Sequence, residues 1–172
     1  VAVMTIHVDD LRLTGKPEVI KHILAELQRV SGELKVEWHT FTNCGVRHIQ
    51  CQATREIALD QIAYAGNLRS IVHPQLHDSK PEDECCPALH QLYMSLPGAV
   101  AYLSHTRLDV AVFICALQRY GHRPQIQHVK KLNKLLAWVQ RNPKKLAYRR
   151  KGESRPAEPT PTHLRAVSDA AY

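Results

Sequence analysis

His7-Val8-Asp9-Asp10 places two carboxylates side by side at the end of a strongly β-forming run, Val1 to Val8, just before Leu11-Arg12-Leu13. Like charges that close raise each other's pKa unless a cation offsets them. A hard divalent ion such as Mg²⁺ does so, because it prefers carboxylate and phosphate oxygens. Two such ions about 3.5–4 Å apart can activate an attacking hydroxyl and stabilise a leaving oxygen. Neighbouring side chains of a strand point to opposite faces, so a tight turn is needed before Asp9 and Asp10 can serve one site. Asp-Asp pairs are also ordinary turn residues; the β run before this pair and the apolar return after it favour the metal role.

The elements that must position this pair read as follows. Residues 11 to 14 return as a hairpin partner, Gly15 breaks the run, and Pro17 suits the first turn of a helix. Ile20, Ile23, Leu24, Leu27 and Val30 fall at helical spacing over 17–30. Leu34, Val36 and Trp38 alternate with Lys35 and Glu37, which predicts a half-buried strand. Short β segments are expected near 44–51 and 55–59, with Asp60 capping a helix that runs to about Ile71. Residues 73–87, with three prolines and no periodicity, read as a linker. Three helices are expected over 88–104, 107–120 and 125–141, the first kinked or split by Pro97. Leu146-Ala147-Tyr148 reads as a short strand, 150–162 as a second linker, and Leu164 to Asp169 as a strand that stops at polar residues. The opening strand has no polar lead, so a start inside a domain is expected.

The net charge of +7 points to an anionic partner, nucleic acid before an acidic membrane surface. Val110 to Gly152 contains no Asp or Glu. The cations there include Arg119, Arg123, Lys130, Lys131, Lys134, Arg141, Lys144 and Lys145. Lys130 and Lys134 share a helical face, with Arg141 about two turns further on, while Val129, Leu132, Leu136 and Val139 form the side to be buried. A stripe of one sign suits sequence-independent phosphate contacts that weaken with salt. The five cysteines form no CxxC pair and the eleven histidines no HExxH, which argues against a disulfide framework or zinc site and fits an intracellular protein. No apolar run approaches the roughly 20 residues that span a bilayer. Trp38, Tyr102 and Trp138 read as core or half-buried residues, and Asp109 as a partner of Arg107 or a helix cap.

His7-Val8-Asp9-Asp10-Leu11 with Leu13-Thr14-Gly15 resembles the YVDD catalytic hairpin of reverse transcriptases. The rest of the chain resembles, in order, the copia-type retrotransposon family. Cys44-Gly45-Val46 matches its Leu-Gly-Ile strand, and Leu59-Asp60-Gln61 with Tyr64 its Ser-Gln-x-x-Tyr helix start. Leu92 to Leu103, then Thr106-Arg107-Leu108-Asp109-Val110-Ala111, match its Tyr-Arg-Ser-Leu-Val-Gly and Thr-Arg-Pro-Asp-Ile blocks. Pro124, His128 and Leu135 to Val139 resemble its Pro…His…Leu-x-Tyr-Leu helix, and Ser168-Asp169-Ala170 the start of its RNase H domain. His7 stands where the family has Tyr.

The resemblance implies an α+β fold: the end of a polymerase palm sheet over 1–72, a helical thumb and connection over 88–149, and the first strand of RNase H over 163–172. It implies that Asp9 and Asp10, and Asp169 in the RNase H part, serve as catalytic metal ligands for Mg²⁺ or Mn²⁺. His7 and the basic residues would contact an RNA/DNA template–primer. The family's third metal-binding Asp and its fingers lie upstream of the matching hairpin. The partners expected are therefore the fingers and remaining palm of the same polyprotein, and the isolated chain is expected not to polymerise. The alternative is a non-catalytic basic remnant of a decayed transposon that only binds nucleic acid.

Overall fold

Strand β1 (Ala2–His7) is laid antiparallel on β2 (Asp10–Gly15), with His7 opposite Asp10 and Ala2 opposite Gly15. This computed structural model describes residues 2–8 and 10–148, apart from the side chain of His7. The expected linker at 150–162, the RNase H strand and Asp169 lie outside the described residues. Helix α1 (Pro17–Ser31) starts with Pro17 in its first turn and ends at Gly32, whose φ of +83° suits a residue without Cβ. Of the apolar stripe on α1 only Ile20 is fully buried.

A second sheet has the order β3-β4-β5-β6, antiparallel throughout: β3 (Thr40–Asn43), β4 (Val46–Gln50), β5 (Ile57–Asp60) and β6 (Leu146–Tyr148). Cys44 and Gly45, both at positive φ, make the two-residue turn between β3 and β4. The strand expected at 34–38 is absent. Residues 32–38 take no regular structure, because they find no neighbouring ladder to pair with, and Trp38 stays half exposed. Their alternation survives only locally, in the Lys35–Glu37 ion pair at 2.8 Å.

Helix α2 (Ile62–Asn67) is shorter than expected. Beyond it, α6 (Ile126–Arg141) captures the chain with amide side chains. Gln140 donates to the carbonyls of Ala65 and Leu68, and Asn133 both accepts from Ile71 N and donates to Ile71 O. These bonds satisfy backbone groups that a longer helix would have satisfied itself. Across 73–87 there is one helical turn, α3 (Gln75–Asp78), and the stretch is pinned by backbone bonds from Cys85 to Pro124, Ile126 to Asp83 and Gln127 to Pro81.

Helices α4 (Pro87–Tyr102), α5 (Leu108–Gln118) and α6 form the main core, with a 3-10 turn at Leu103–His105 between the first two. Leu89, Tyr93, Val100, Leu103, Val110, Ile126, Val129, Leu132 and Leu136 are wholly buried there. Pro97 does not split α4. It lies buried between Leu96 and Val100, and packing holds the helix through the missing backbone bond. The Tyr93 hydroxyl donates to Leu117 O at 2.7 Å and joins α4 to α5. The architecture is α+β, as expected. Among the described residues no helix is long and apolar enough to cross a membrane.

Candidate catalytic hairpin and nucleic-acid interface

The pairing of His7 with Asp10 leaves Val8-Asp9 as a two-residue tip. Such turns favour positive φ because it matches strand twist. Val8 takes φ +56°, a conformation that β-branched residues rarely adopt. Asp9 itself lies outside the described residues. Asp10 and Arg12, two apart on β2, project to one face. Both meet Asn43 at the end of β3: the Asn43 amide nitrogen donates to Asp10 Oδ2 at 3.0 Å, and its oxygen accepts from the Arg12 guanidinium. Asn43 is buried, so the clamp sits at the junction of the two sheets. His48 on β4, stacked on Phe41 at 4.8 Å, is held below the ordinary imidazole value by burial and then by the Arg12 charge.

An oxygen-donor site of this kind fits a hard cation in chemistry but is incomplete in number. Asp10 is the one described carboxylate at the tip, and among the described residues no three His, Cys, Asp or Glu gather to hold a metal. The Asp10–Asn43–Arg12 arrangement was not legible beforehand. It joins residues more than 30 apart, and nothing in local spacing marks Asn43.

The basic residues divide into two groups. Val129, Leu132, Leu136 and Val139 form the buried side of α6, as their spacing predicts. Lys131, Lys134 and Arg141 are exposed on the helix and Lys130 partly so, while Arg119 and Lys145 are exposed beyond it. None of these six has an acidic partner among the described ion pairs. Arg123 and Lys144 do. Glu84 reaches Arg123 at 2.5 Å, and Asp109 reaches Lys144 at 2.9 Å. Both acids come from outside the acid-free stretch, so its composition did not reveal these pairings. The paired Lys144 carries less of the phosphate-attracting charge than composition suggested.

Asp109 also takes both Nε and Nη2 of the buried Arg107, at 2.9 and 3.1 Å. Arg107 spends its remaining nitrogen on the carbonyl of Asn142 at 2.9 Å and, more distantly, that of Val139. Hydrogen bonds from Arg107, with Lys144 alongside, hold the Asp109 carboxyl down at about 2. This is the Arg107–Asp109 pairing foreseen from the sequence. It locks the start of α5 to the end of α6. Nearby, Tyr102 donates to Cys44 O and packs edge-on to Tyr64, while Gln61 bridges Tyr102 O and Thr106. These contacts fix the second sheet against the helices.

No protein-family model matches the chain, and no solved structure matches it. Along nearly its whole length, however, the chain is similar to a retrotransposon polyprotein. That relative is the retrovirus-related Pol polyprotein from transposon RE1 of Arabidopsis thaliana, 24% identical over an alignment of 178 positions that takes in 98% of this chain. The match spans 12% of the relative, so the chain corresponds to a small part of a much longer polypeptide. The similarity supports a transposon-derived protein.

Proposed function

We propose that the chain is the hairpin-bearing and helical part of an RNA-directed DNA polymerase from a copia-type retrotransposon. The observation that carries this reading is the β1–β2 hairpin, whose pairing of His7 with Asp10 brings Asp10 to its turn, in a chain similar to a Pol polyprotein along nearly its whole length. In the intact parent, Asp9 and Asp10 would hold Mg²⁺ or Mn²⁺ together with an upstream aspartate. The metal would supply in-line displacement at a primer 3′-hydroxyl. The exposed cations of α6 would hold an RNA/DNA template–primer by its phosphates. Asp169 would give one carboxylate to an attached RNase H site. The setting is intracellular, where the template and the reducing conditions suited to five free cysteines are found.

Primer extension by the longer parent polypeptide tests this reading. Incorporation with Mg²⁺ should be lost in Asp9→Asn and in Asp10→Asn, and activity kept in both variants would overturn it. The 172-residue chain alone should not extend a primer. The second reading, a remnant that binds nucleic acid without catalysis, is favoured by the unpaired cations of α6. It predicts duplex binding that falls steeply with salt, together with no extension by the parent.

A further inference from the structure

Lys134, Trp138 and Arg141 recur at i, i+4 and i+7 on α6 and therefore share one face of the helix. With Ser70 and Asn142 they line an open groove of about 510 Å³ between α6 and the extended chain after α2. Trp138 is 41% exposed and lines this groove. Its position is set from within. The Arg107 guanidinium lies 5.3 Å from the ring centroid and Lys144 Nζ 5.7 Å, and both cations are tied to the carboxylate of Asp109. Asn142 also donates to the backbone carbonyl of Trp138 at 2.8 Å, closing the end of the helix around it. The indole is thus a rigid plate, held by a buried cation and opening onto a groove that carries charge.

Neither Lys134 nor Arg141 has an acidic partner among the described residues. They stand seven residues apart, about 10 Å along the helix axis, so they flank the ring instead of converging on one anion. An aromatic plate between two spaced cations matches a chain of phosphates whose bases are free to stack. In a duplex the base faces are already covered by their neighbours, so a π-face is offered only by a single strand.

We infer that the Lys134–Trp138–Arg141 groove is a single-stranded nucleic-acid site, in which one base stacks on Trp138 and the flanking phosphates meet Lys134 and Arg141. This rests on the reading of the chain as a nucleic-acid-handling protein and adds to it a base-stacking contact on Trp138, with Lys134 and Arg141 serving single-strand and duplex phosphates alike.

The full chain with Trp38→Phe leaves Trp138 as its one indole, since the sequence has two tryptophans. A short oligothymidylate should quench its emission, and salt should reverse the quenching. Inorganic polyphosphate and polyglutamate should leave emission unchanged. In anisotropy titrations with labelled oligonucleotides, Trp138→Leu should weaken single-strand binding about tenfold while duplex binding stays within about twofold. Lys134→Glu with Arg141→Glu should weaken single-strand binding further. Single-strand binding without quenching, quenching by polyphosphate or polyglutamate, or equal loss of single-strand and duplex binding in Trp138→Leu would each overturn the inference. Duplex binding without single-strand quenching sinks this site alone; no binding to either form sinks the nucleic-acid reading as well. The quenching measurement keeps the native Trp138, so it decides the matter even if Trp138→Leu fails to fold.

Discussion

The β1–β2–α1 segment and the α4–α5–α6 bundle are both rich in aliphatic residues, yet they bury them very differently. In the bundle, nine large apolar side chains are wholly buried and packed in one cluster. In the hairpin, Val3 is 60% and Ile6 64% exposed, and α1 covers β2 with Ile20 as its one fully buried residue. A two-stranded ribbon has one partner for each strand and little to close over its faces, so it is marginal alone. The lesson is a division of labour. The bundle supplies cooperative stability, while the segment bearing the candidate carboxylates depends on neighbours to hold it in shape.

The largest effects should therefore lie in the bundle. Leu136→Ala removes a wholly buried side chain and should cost about 2–5 kcal/mol. Ile6→Ala, on the open hairpin, should stay within about 0.5 kcal/mol. Urea unfolding of both variants checks the contrast, and comparable losses would break it. Arg107→Ala comes next, at about 2–4 kcal/mol, since it strands Asp109 and the carbonyl of Asn142. Asp109 also gives this pair a pH signature. Its carboxyl sits at about 2 when folded and rises toward the ordinary value when unfolded, so the stability it contributes is complete above about pH 4. That stability drains away as pH falls through 2, and an acid titration of Arg107→Ala should lack most of this slope.

A smaller effect belongs to His128, which caps α6. Its Nδ1 accepts from Gln125 N at 3.0 Å, and its ring stacks on Tyr120 at 3.8 Å. Burial, and then Lys131, hold its pKa below the ordinary imidazole value. The cap is therefore fully present above about pH 6.5 and is lost as pH falls further, because a protonated Nδ1 cannot accept. His128→Ala should cost about 1 kcal/mol at pH 8 and less at pH 5. Thermal melts at the two values measure it.

What the sequence revealed follows the same division. Helices α1 and α6 were readable because their apolar residues repeat at 3.6 and Pro17, Gly32 and Pro124 mark their ends, while α4 and α5 are apolar runs of helical length. The hairpin was readable from a β-forming run that ends in an acidic turn and an apolar return. Trp38 misled because alternation describes a strand's faces and says nothing of whether a partner strand exists. Of the kink or split expected at Pro97, the split does not occur: α4 runs on through the buried proline. The end of α2 was set by Asn133 and Gln140, more than 60 residues away, and the pairing of Arg123 and Lys144 by acids beyond the stretch in which they were sought. Each of these is a long-range contact, for which a single sequence carries no local mark.

Asn43 ties the hairpin to the second sheet, and its substitution gives a small but diagnostic effect. Among the described residues, two side-chain hydrogen bonds join the hairpin to the second sheet, and both end on this one amide. Asn43→Ala removes them without leaving a large cavity. Asp10 is exposed, so water can replace the lost donor, and the global cost should be about 1 kcal/mol or less. If the hairpin is held by its neighbour, amide exchange in β1 and β2 should accelerate well beyond what that small cost predicts for the molecule as a whole. Protection in α4 and α6 should not change, because their slowest amides report global opening. Uniform acceleration across hairpin and bundle would instead mean that the two regions unfold as one unit, and the contrast in burial would then have no counterpart in stability.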